Sequence, residues 1–239
     1  MKRLSWARLG RAVLDTLVPP RCLACDVLLL EPEEGFCALC RASLWAVGPG
    51  CDLCGVPLDG RRCAGCAAAP PPWDGALQAF VYGESIQAAI LRLKRQGAAL
   101  ADGARLVREA RTEVAPWTLT PEVVVPVPLH PTRARHRGFN QAALLGAPLA
   151  REAGVPLVDA LRCTRVVTEQ KGLGRVERAR NLGGVYAPHR PRAVSGRRVL
   201  LVDDVITTGA TARACTQALR EAGAARVEVW ALARVLRES

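Results

Sequence analysis

Apolar residues in this chain occur both in short continuous runs and in longer stretches with helical spacing, and the two patterns alternate after residue 75. Short runs rich in Val, Leu and Ala predict strands of a parallel sheet that is covered on both faces. The predicted strands are Ala79–Tyr82, Val123–Val127, Val199–Val202 and Val227–Ala231. The predicted helices are Ser85–Gln96, Ala101–Val114 and Thr211–Ala222, the last of which ends at Gly223. We therefore expect an α/β domain with a doubly wound parallel sheet over residues 75–239.

The run Val199–Val202 leads directly into Asp203 and Asp204, which places two carboxylates at the carboxyl end of a buried strand. The residues that follow, Ile206–Thr211, are small and rich in hydroxyl groups. Backbone N–H groups can converge on an anion there, and Gly209 can adopt a left-handed conformation. Since carboxylates accept hydrogen bonds from sugar hydroxyls, the pattern favours a ligand that carries a ribose beside a phosphate. The alternative is an ordinary turn between strand and helix with a solvated acid pair.

Eight of the ten cysteines form four C-x-x-C pairs, separated by 11, 10 and 8 residues. The pairs are Cys22/Cys25, Cys37/Cys40, Cys51/Cys54 and Cys63/Cys66. A C-x-x-C turn presents two thiolates on one side of a tight loop, and two such turns complete a tetrahedral site. The pairs therefore predict two structural zinc ions in a double zinc-ribbon domain over residues 20–70. This segment has few large apolar residues and is expected to need its metal in order to fold.

Three questions about the cysteines stay open at the level of sequence. Disulfides or an iron–sulfur cluster are the alternatives to zinc. Each ion could be held by two consecutive pairs, or by interleaved pairs in a cross-brace. Cys163 and Cys215 lie outside the cysteine-rich module, and we expect both to be buried free thiols rather than nucleophiles.

Residues 1–19 have the apolar spacing of an amphipathic helix, but charged residues interrupt the apolar surface. We therefore expect no signal peptide and no membrane insertion, and a cytoplasmic protein. The net charge is +11, and the excess lies after residue 72, where 25 Lys or Arg residues face 15 acids. Such an excess of positive charge can attract a pyrophosphate and the backbone of a nucleic acid equally well. Lys94, near the end of a predicted helix, is expected to be a structural cation at the helix terminus.

The segment Val199–Thr211 resembles the signature of the type I phosphoribosyltransferases, in which an apolar strand, two acids and a TTG-like loop bind phosphoribosyl pyrophosphate (PRPP). The resemblance implies that Asp203 and Asp204 are the catalytic acids and hold the ribose hydroxyls. It also implies that the next loop wraps the 5′-phosphate and that Mg²⁺ binds together with PRPP. That loop consists of Thr207, Thr208, Gly209, Ala210 and Thr211.

The same resemblance gives two further segments an expected role. Leu129–Arg137 would be the pyrophosphate loop, with Arg133 and Arg137 as contacts, and a solvated basic loop is the alternative. Thr168–Asn181 takes the place of the flexible hood, and a disordered polar loop is the alternative. The PRPP contacts expected there are Gln170, Arg178 and Asn181. In purine-salvage enzymes an acid occupies the position of Thr207, so no proton acceptor for a purine is visible in this chain.

The combination of an eight-cysteine module with a PRPP motif resembles the ComF family, which is associated with competence and the use of external DNA. Further segments of the resemblance are Pro19–Cys22, Pro70–Asp74, Val125–Gln141 and Thr168–Leu182. The chain departs from the pattern at Pro148, which we expect to kink or stop the helix that follows Asn140.

Three function hypotheses follow from these motifs. In the first, the protein binds PRPP with Mg²⁺ and transfers a phosphoribosyl group to an unknown acceptor. In the second, it is a PRPP or nucleotide sensor without turnover. In the third, it is an accessory protein that handles single-stranded DNA or contacts competence proteins, through its basic loops and ribbons.

Overall fold

The computed structural model of the protein describes residues 19–31, 33–59, 61–95, 100–113, 120–164 and 184–236. Residues 1–18 of the predicted amino-terminal helix and the whole predicted hood segment lie outside these ranges. Two short helices occur in the cysteine-rich module, α1 (Ala38–Ala42) and α2 (Ala64–Ala68). Each begins directly after a cysteine, Cys37 or Cys63, that serves as its N-cap residue.

The main sheet of the described residues consists of four strands, and all of its paired strands are parallel. They are β1 (Gly75–Val81), β2 (Val123–Pro126), β5 (Arg198–Ile206) and β6 (Arg226–Arg234), in the order β1-β6-β5-β2. Because parallel strands share one direction, their carboxyl ends lie at the same edge of the sheet. A separate antiparallel hairpin pairs β3 (Leu161–Cys163) with β4 (Tyr186–Pro188).

Helices cover both faces of the sheet. On one face lie α3 (Glu84–Leu93), α4 (Leu100–Glu113) and α6 (Gln141–Ala153), and on the other lies α7 (Ala210–Glu221). Side chains of β5 alternate between the two cores: Leu200 and Val202 belong to the first, and Val199 and Leu201 to the second. This alternation confirms the predicted doubly wound sheet, since a strand buried on both faces must be apolar throughout.

Strand β5 is longer than the apolar run that predicted it. Its ladder with β6 continues past Val202, pairing Asp203 with Ala231 and Ile206 with Arg234. The two aspartates therefore lie inside the strand, close to its carboxyl end, and the prediction that the strand stops before them is wrong. A central strand can include polar residues because its backbone groups still find partners on the neighbouring strand.

Helix α6 continues past Pro148 to Ala153, so the predicted early stop is wrong. The side chain of Asn140 caps the helix by accepting a hydrogen bond of 3.0 Å from the N–H of Ala142. Proline removes the N–H that would bond to the carbonyl of Leu144. That carbonyl faces Gly103 of α4. A Cβ atom at position 103 would overlap the carbonyl oxygen, so glycine leaves room for the carbonyl group that has lost its helical partner.

The predicted pyrophosphate loop contains a helix, α5 (Pro131–Arg137), which begins shortly after β2. Proline at the first helical position favours this start, because its missing N–H would have no partner within the helix. The basic residues of this segment are thus presented from a helical turn at the carboxyl edge of the sheet.

The first half of the cysteine-rich module docks on α4. Glu109, which is only 6% exposed, accepts a hydrogen bond of 2.9 Å from the N–H of Gly35 and is paired with Arg41. Arg105 donates to the carbonyls of Glu34 and Arg21 at 2.6 and 2.7 Å. Among the described residues, no helix is both long and apolar enough to cross a membrane.

Candidate functional site

Asp203 and Asp204 are both buried, with exposures of 8% and 6%. The side chain of Asp203 accepts a hydrogen bond of 2.9 Å from the N–H of Asp204. Burial, together with the neighbouring Asp204 carboxylate, raises the pKa of Asp203 well above its ordinary value. Its charge also acts on Cys215 of α7, which places Asp203 on the α7 face of the sheet.

Lys94 is a functional candidate that sequence reasoning assigned to a different role. It caps the carboxyl end of α3, as expected, but its Nζ atom also lies 2.5 Å from Oδ2 of Asp204. The lysine side chain is 28% exposed and the aspartate side chain 8%. One of the two acids therefore forms an ion pair with a lysine. Only the chain path reveals this pairing, because nothing in the local pattern around Lys94 points to β5.

The predicted phosphate loop connects β5 to the first turn of α7. Gly209 is the N-cap residue and has φ +74°, so the loop uses the left-handed conformation that glycine tolerates best. Thr208 accepts a hydrogen bond of 3.3 Å from the N–H of Ala210, while Thr207 is exposed. N–H groups in the first turn of a helix have no carbonyl partner within it, which makes this end of α7 suited to an anion.

Tyr186 of β4 is a second residue that sequence reasoning missed. Its side chain lies near that of Thr211 in the phosphate loop, which acts on the pKa of the tyrosine. Burial raises the pKa of Tyr186, and the nearby Cys215, Cys163 and Asp203 act in the same direction. No signal within the sequence identifies this residue, because the hairpin reaches the loop only through the tertiary fold.

The structure describes only part of the predicted pyrophosphate and hood contacts. Arg137 is half-buried and donates a hydrogen bond of 3.3 Å to Oε1 of Gln141. The side chain of Arg133 lies outside the described part of the chain, although its helix is described. Gln170, Arg178 and Asn181 also lie outside the described residues.

The eight paired cysteines form two groups of four, and in each group the sulfur atoms all lie within 4.8 Å of one another. The first group is Cys22, Cys25, Cys37 and Cys40, and the second is Cys51, Cys54, Cys63 and Cys66. The consecutive pairs therefore share a site, which settles the question that the sequence left open in favour of consecutive ribbons and against a cross-brace.

The spacing of the sulfur atoms fits tetrahedral zinc. The Sγ atoms of Cys25 and Cys37 are 3.8 Å apart, and those of Cys54 and Cys63 are 3.7 Å apart. Zinc–sulfur bonds of about 2.3 Å place the corners of a tetrahedron roughly 3.8 Å apart. A disulfide would require about 2.05 Å instead. Cys163 and Cys215 are buried, as predicted, and neither forms a disulfide within the described part of the chain.

Backbone hydrogen bonds favour the thiolate form at the first cysteine of each ribbon. Burial acts to raise the pKa of Cys22, but hydrogen bonds from the backbone of Cys25, Cys37 and Ala24 outweigh it and lower the pKa to about 6. Cys51 holds the same position in the second ribbon, and the same balance of burial and backbone hydrogen bonds lowers its pKa to about 6. The two ribbons thus repeat one local design.

Comparison with protein families identifies two domains. A family model described as "Double zinc ribbon domain" matches residues 13–69. A model described as "Phosphoribosyl transferase domain" matches residues 140–238. Among solved structures, the chain is similar to the glutamine PRPP amidotransferase from B. subtilis complexed with ADP and GMP. That similarity has 24% identity and a TM-score of 0.35 and covers 54% of this chain and 24% of the other.

Relatives match the chain over most of its length. Competence protein F of Haemophilus influenzae is 34% identical over 228 residues, covering 90% of this chain and 96% of the relative. The DNA utilization protein YhgH of Escherichia coli K12 is 33% identical over 226 residues, covering 92% and 99%. Competence protein ComFC of Bacillus subtilis is 28% identical over 237 residues, covering 89% and 94%. With its two four-cysteine sites for structural zinc and its phosphoribosyl transferase domain, the chain belongs to the competence protein F family.

Proposed function

We propose that this protein binds PRPP together with Mg²⁺ at the carboxyl edge of its sheet. The observation that carries the proposal is the placement of Asp203 and Asp204. Both are buried at the end of β5, and the same strand leads into the glycine-capped amino end of α7. The two carboxylates can accept hydrogen bonds from hydroxyl groups, and the backbone amides of the loop can donate hydrogen bonds to a phosphate. Both sets of groups therefore belong to one continuous segment, as the binding of a phosphoribosyl group requires.

Each part of this edge takes one group of the ligand. Backbone N–H groups of the loop Thr207–Thr211 would hold the 5′-phosphate, and Asp203 and Asp204 would accept from the ribose hydroxyls. Arg133 and Arg137, presented by α5, would contact the pyrophosphate. The predicted hood contacts, Gln170, Arg178 and Asn181, would complete the site. Mg²⁺ suits this set of oxygen ligands, and when bound it would neutralise the pyrophosphate.

Phosphoribosyl transfer is the reaction that such a site supports. In it, the acceptor attacks C1′ of PRPP, the bond from C1′ to the pyrophosphate oxygen breaks, and pyrophosphate leaves. The residues described here bind, orient and shield the ligand, and Thr207 offers no acid for a purine acceptor. A PRPP sensor without turnover would use the same pocket, and pyrophosphate release above the hydrolysis background distinguishes an enzyme from a sensor.

Calorimetry with PRPP and Mg²⁺ on the zinc-loaded protein tests the binding proposal. We expect the wild type to bind only when Mg²⁺ is present, and Asp204→Asn to weaken binding by tenfold or more, about the value of one charge-assisted hydrogen bond. Asp159→Asn, which changes an exposed carboxyl that precedes β3, is the matched control and should bind like the wild type. The proposal fails if the wild type takes up no PRPP, or if Asp204→Asn binds it equally well.

A second candidate function is contact with the phosphate backbone of single-stranded DNA. Arg190, Arg192 and Arg197 are exposed, and none of the three guanidinium groups has an acidic partner among the described residues. They lie just before β5, at the amino edge of the sheet, opposite the phosphate loop. The names of the relatives, competence protein and DNA utilization protein, agree with such a role.

Salt dependence separates this candidate from PRPP binding. Replacing Arg190, Arg192 and Arg197 by Ala should reduce the slope of log affinity against log salt by about 2, since each phosphate contact on a single strand contributes about 0.7. Asp203→Asn is the matched control, because it alters the carboxyl edge and should leave DNA binding unchanged. An unaltered slope in the triple variant would remove the observation on which this candidate depends.

A further inference from the structure

A cleft of about 180 Å³ separates the second zinc ribbon from the phosphate loop. Sulfur ligands Cys54 and Cys63 line one side, and Thr208 and Gly209 of the loop line the other. The cysteine-rich module and the carboxyl edge of the sheet therefore meet at the segment that the proposed function assigns to the 5′-phosphate.

Trp73, in the connection between the two domains, touches both sides of this boundary. The side chain is 5% exposed, and its Nε1–H donates to the carbonyl of Leu53, which lies inside a C-x-x-C turn. At its other end, the ring lies against Gly209: a Cβ atom at that position would be 3.2 Å from Cη2 of the tryptophan. One rigid side chain thus spans the distance from the zinc-binding turn to the left-handed glycine of the loop.

Two arginines add contacts between the same two parts. The guanidinium carbon of Arg213, in the second turn of α7, lies 5.4 Å from the centroid of the Trp73 ring, and its Nη1 donates to the carbonyl of Pro70 at 3.4 Å. Arg234, at the end of β6 beside Ile206, donates to the carbonyl of Cys54 at 2.6 Å. The loop is therefore bordered on both sides by residues that hold the second ribbon.

The first ribbon provides an internal comparison, because its described contacts lie on the other face of the sheet. Cys22 and Leu23 belong to the core formed with α3 and α4, and Glu109 of α4 binds Gly35 and Arg41. Trp73 belongs to the core of the α7 face. The two zinc sites thus have the same local design but support different parts of the domain.

We propose that Trp73 is a positioning residue that fixes the phosphate loop against the second zinc ribbon, so that the order of the loop depends on metal at the second four-cysteine site and not at the first. A ribbon of this size folds only around its metal. Loss of that metal would displace the Leu53 carbonyl and release the indole from Gly209. The consequence for PRPP affinity rests on the proposed function, whereas the consequence for loop order does not.

Hydrogen exchange of the full-length protein, followed by mass spectrometry, tests the proposal directly. Cys63→Ser and Cys37→Ser are matched variants, since each removes one ligand that is also the N-cap of a short helix. Zinc content should fall from two ions per chain to one in both. We expect Cys63→Ser to speed exchange over residues 206–213 by about tenfold or more, while leaving α4 unchanged, and Cys37→Ser to do the reverse. Equal exchange over residues 206–213 in the two variants would overturn the proposal.

Variants of Trp73 separate positioning from general stability. Trp73→Ala should speed exchange over residues 206–213 and weaken Mg²⁺-dependent PRPP binding by about tenfold, with both zinc ions retained and the exchange of α4 unchanged. Trp73→Phe keeps an aromatic ring against Gly209 and should recover most of both effects. Wild-type exchange in Trp73→Ala would refute the role of the tryptophan. A wild type that fails to bind PRPP would refute the proposed function, yet leave the exchange comparison intact.

Discussion

Asp203 and Asp204 are adjacent in sequence, yet β5 turns their side chains towards different neighbours. Asp204 lies on Lys94 at the end of α3, whereas the charge of Asp203 acts on Tyr186 and Cys215 on the α7 face. Successive side chains of a strand point to opposite faces, so the two acids have different partners, although the Asp204 carboxylate is close enough to raise the pKa of Asp203. One acid has a cation as its partner and the other is a buried carboxyl with a raised pKa.

The raised pKa of Asp203 predicts that this residue destabilises the ligand-free fold at neutral pH. A carboxyl whose pKa is higher in the folded state stabilises the fold below the unfolded-state pKa of about 3.9, and this contribution is lost as the pH rises through the folded-state value. Asp203→Asn should therefore be more stable than the wild type at pH 7.5, by about 1.4 kcal/mol for each tenfold difference in proton affinity between the two states. The advantage should shrink at pH 5.

Urea unfolding of the zinc-saturated proteins at the two pH values measures this difference. Zinc affinity itself depends on pH, but it does so in both proteins and cancels in the comparison. Asp159→Asn is the control, and its stability should follow that of the wild type. If Asp203→Asn is less stable than the wild type at pH 7.5, the raised pKa of Asp203 is contradicted.

The ion pair between Lys94 and Asp204 predicts a measurable coupling between the two residues. Removing the lysine leaves a carboxylate with 8% exposure without its cation, so Lys94→Met should destabilise the protein by about 1–3 kcal/mol. In a double-mutant cycle with Asp204→Asn, the coupling energy should exceed about 1 kcal/mol, while Lys94→Arg retains most of the stability. If the losses of stability in the two single variants add up to the loss in the double variant within about 0.5 kcal/mol, the ion pair contributes nothing to stability.

Among the secondary-structure elements, α6 shows how a neighbouring helix can accommodate an unfavourable residue. Pro148 deprives the carbonyl of Leu144 of its partner, and a proline within a helix costs about 3 kcal/mol. The carbonyl faces Gly103 of α4, and a Cβ atom at Gly146 of α6 would lie 2.9 Å from Cδ1 of Leu157 and 3.4 Å from Cγ1 of Val124 in β2. Close packing against α4 and the sheet therefore accompanies the continuation of α6 past its proline.

The packing of α4 against α6 predicts that Gly103→Ala is destabilising. Helix propensity alone would favour alanine by about 1 kcal/mol at this helical position. The new Cβ would, however, overlap the carbonyl oxygen of Leu144, and such overpacking costs about 1–3 kcal/mol. We expect a net loss of stability in urea unfolding. Gly83→Ala is the control, because φ is 176° and no atom lies within 4 Å of the added Cβ; equal stability of the two variants would argue against close packing here.

In the protein as a whole, the two ribbons of the cysteine-rich module contact different parts of one sheet. The first ribbon adds Cys22, Leu23 and Phe36 to the core beneath α3 and α4. The second borders the carboxyl edge through Trp73 and Arg234. The module is thus built into the domain on both sides, and the sheet separates a carboxyl edge with buried acids from an amino edge with exposed arginines.

Much of the architecture was predictable because it follows from local sequence patterns. The apolar run Val199–Val202 marks a strand buried on both faces, and Gly223 marks the end of α7 within one residue. The C-x-x-C spacing alone indicated tetrahedral metal sites. Pro148 and the extension of β5 were misjudged for the opposite reason, since packing partners far along the chain compensate for the local preference in both cases.

Periodicity and spacing report the immediate surroundings of each residue, so they indicate which segments become strands, helices and metal-binding turns. The meeting of distant groups is visible in the folded structure alone. The fold paired the ribbons consecutively, brought Lys94 to Asp204, and laid Trp73 against Gly209. These contacts depend on the path of the chain through the whole fold, and no local pattern of residues encodes that path.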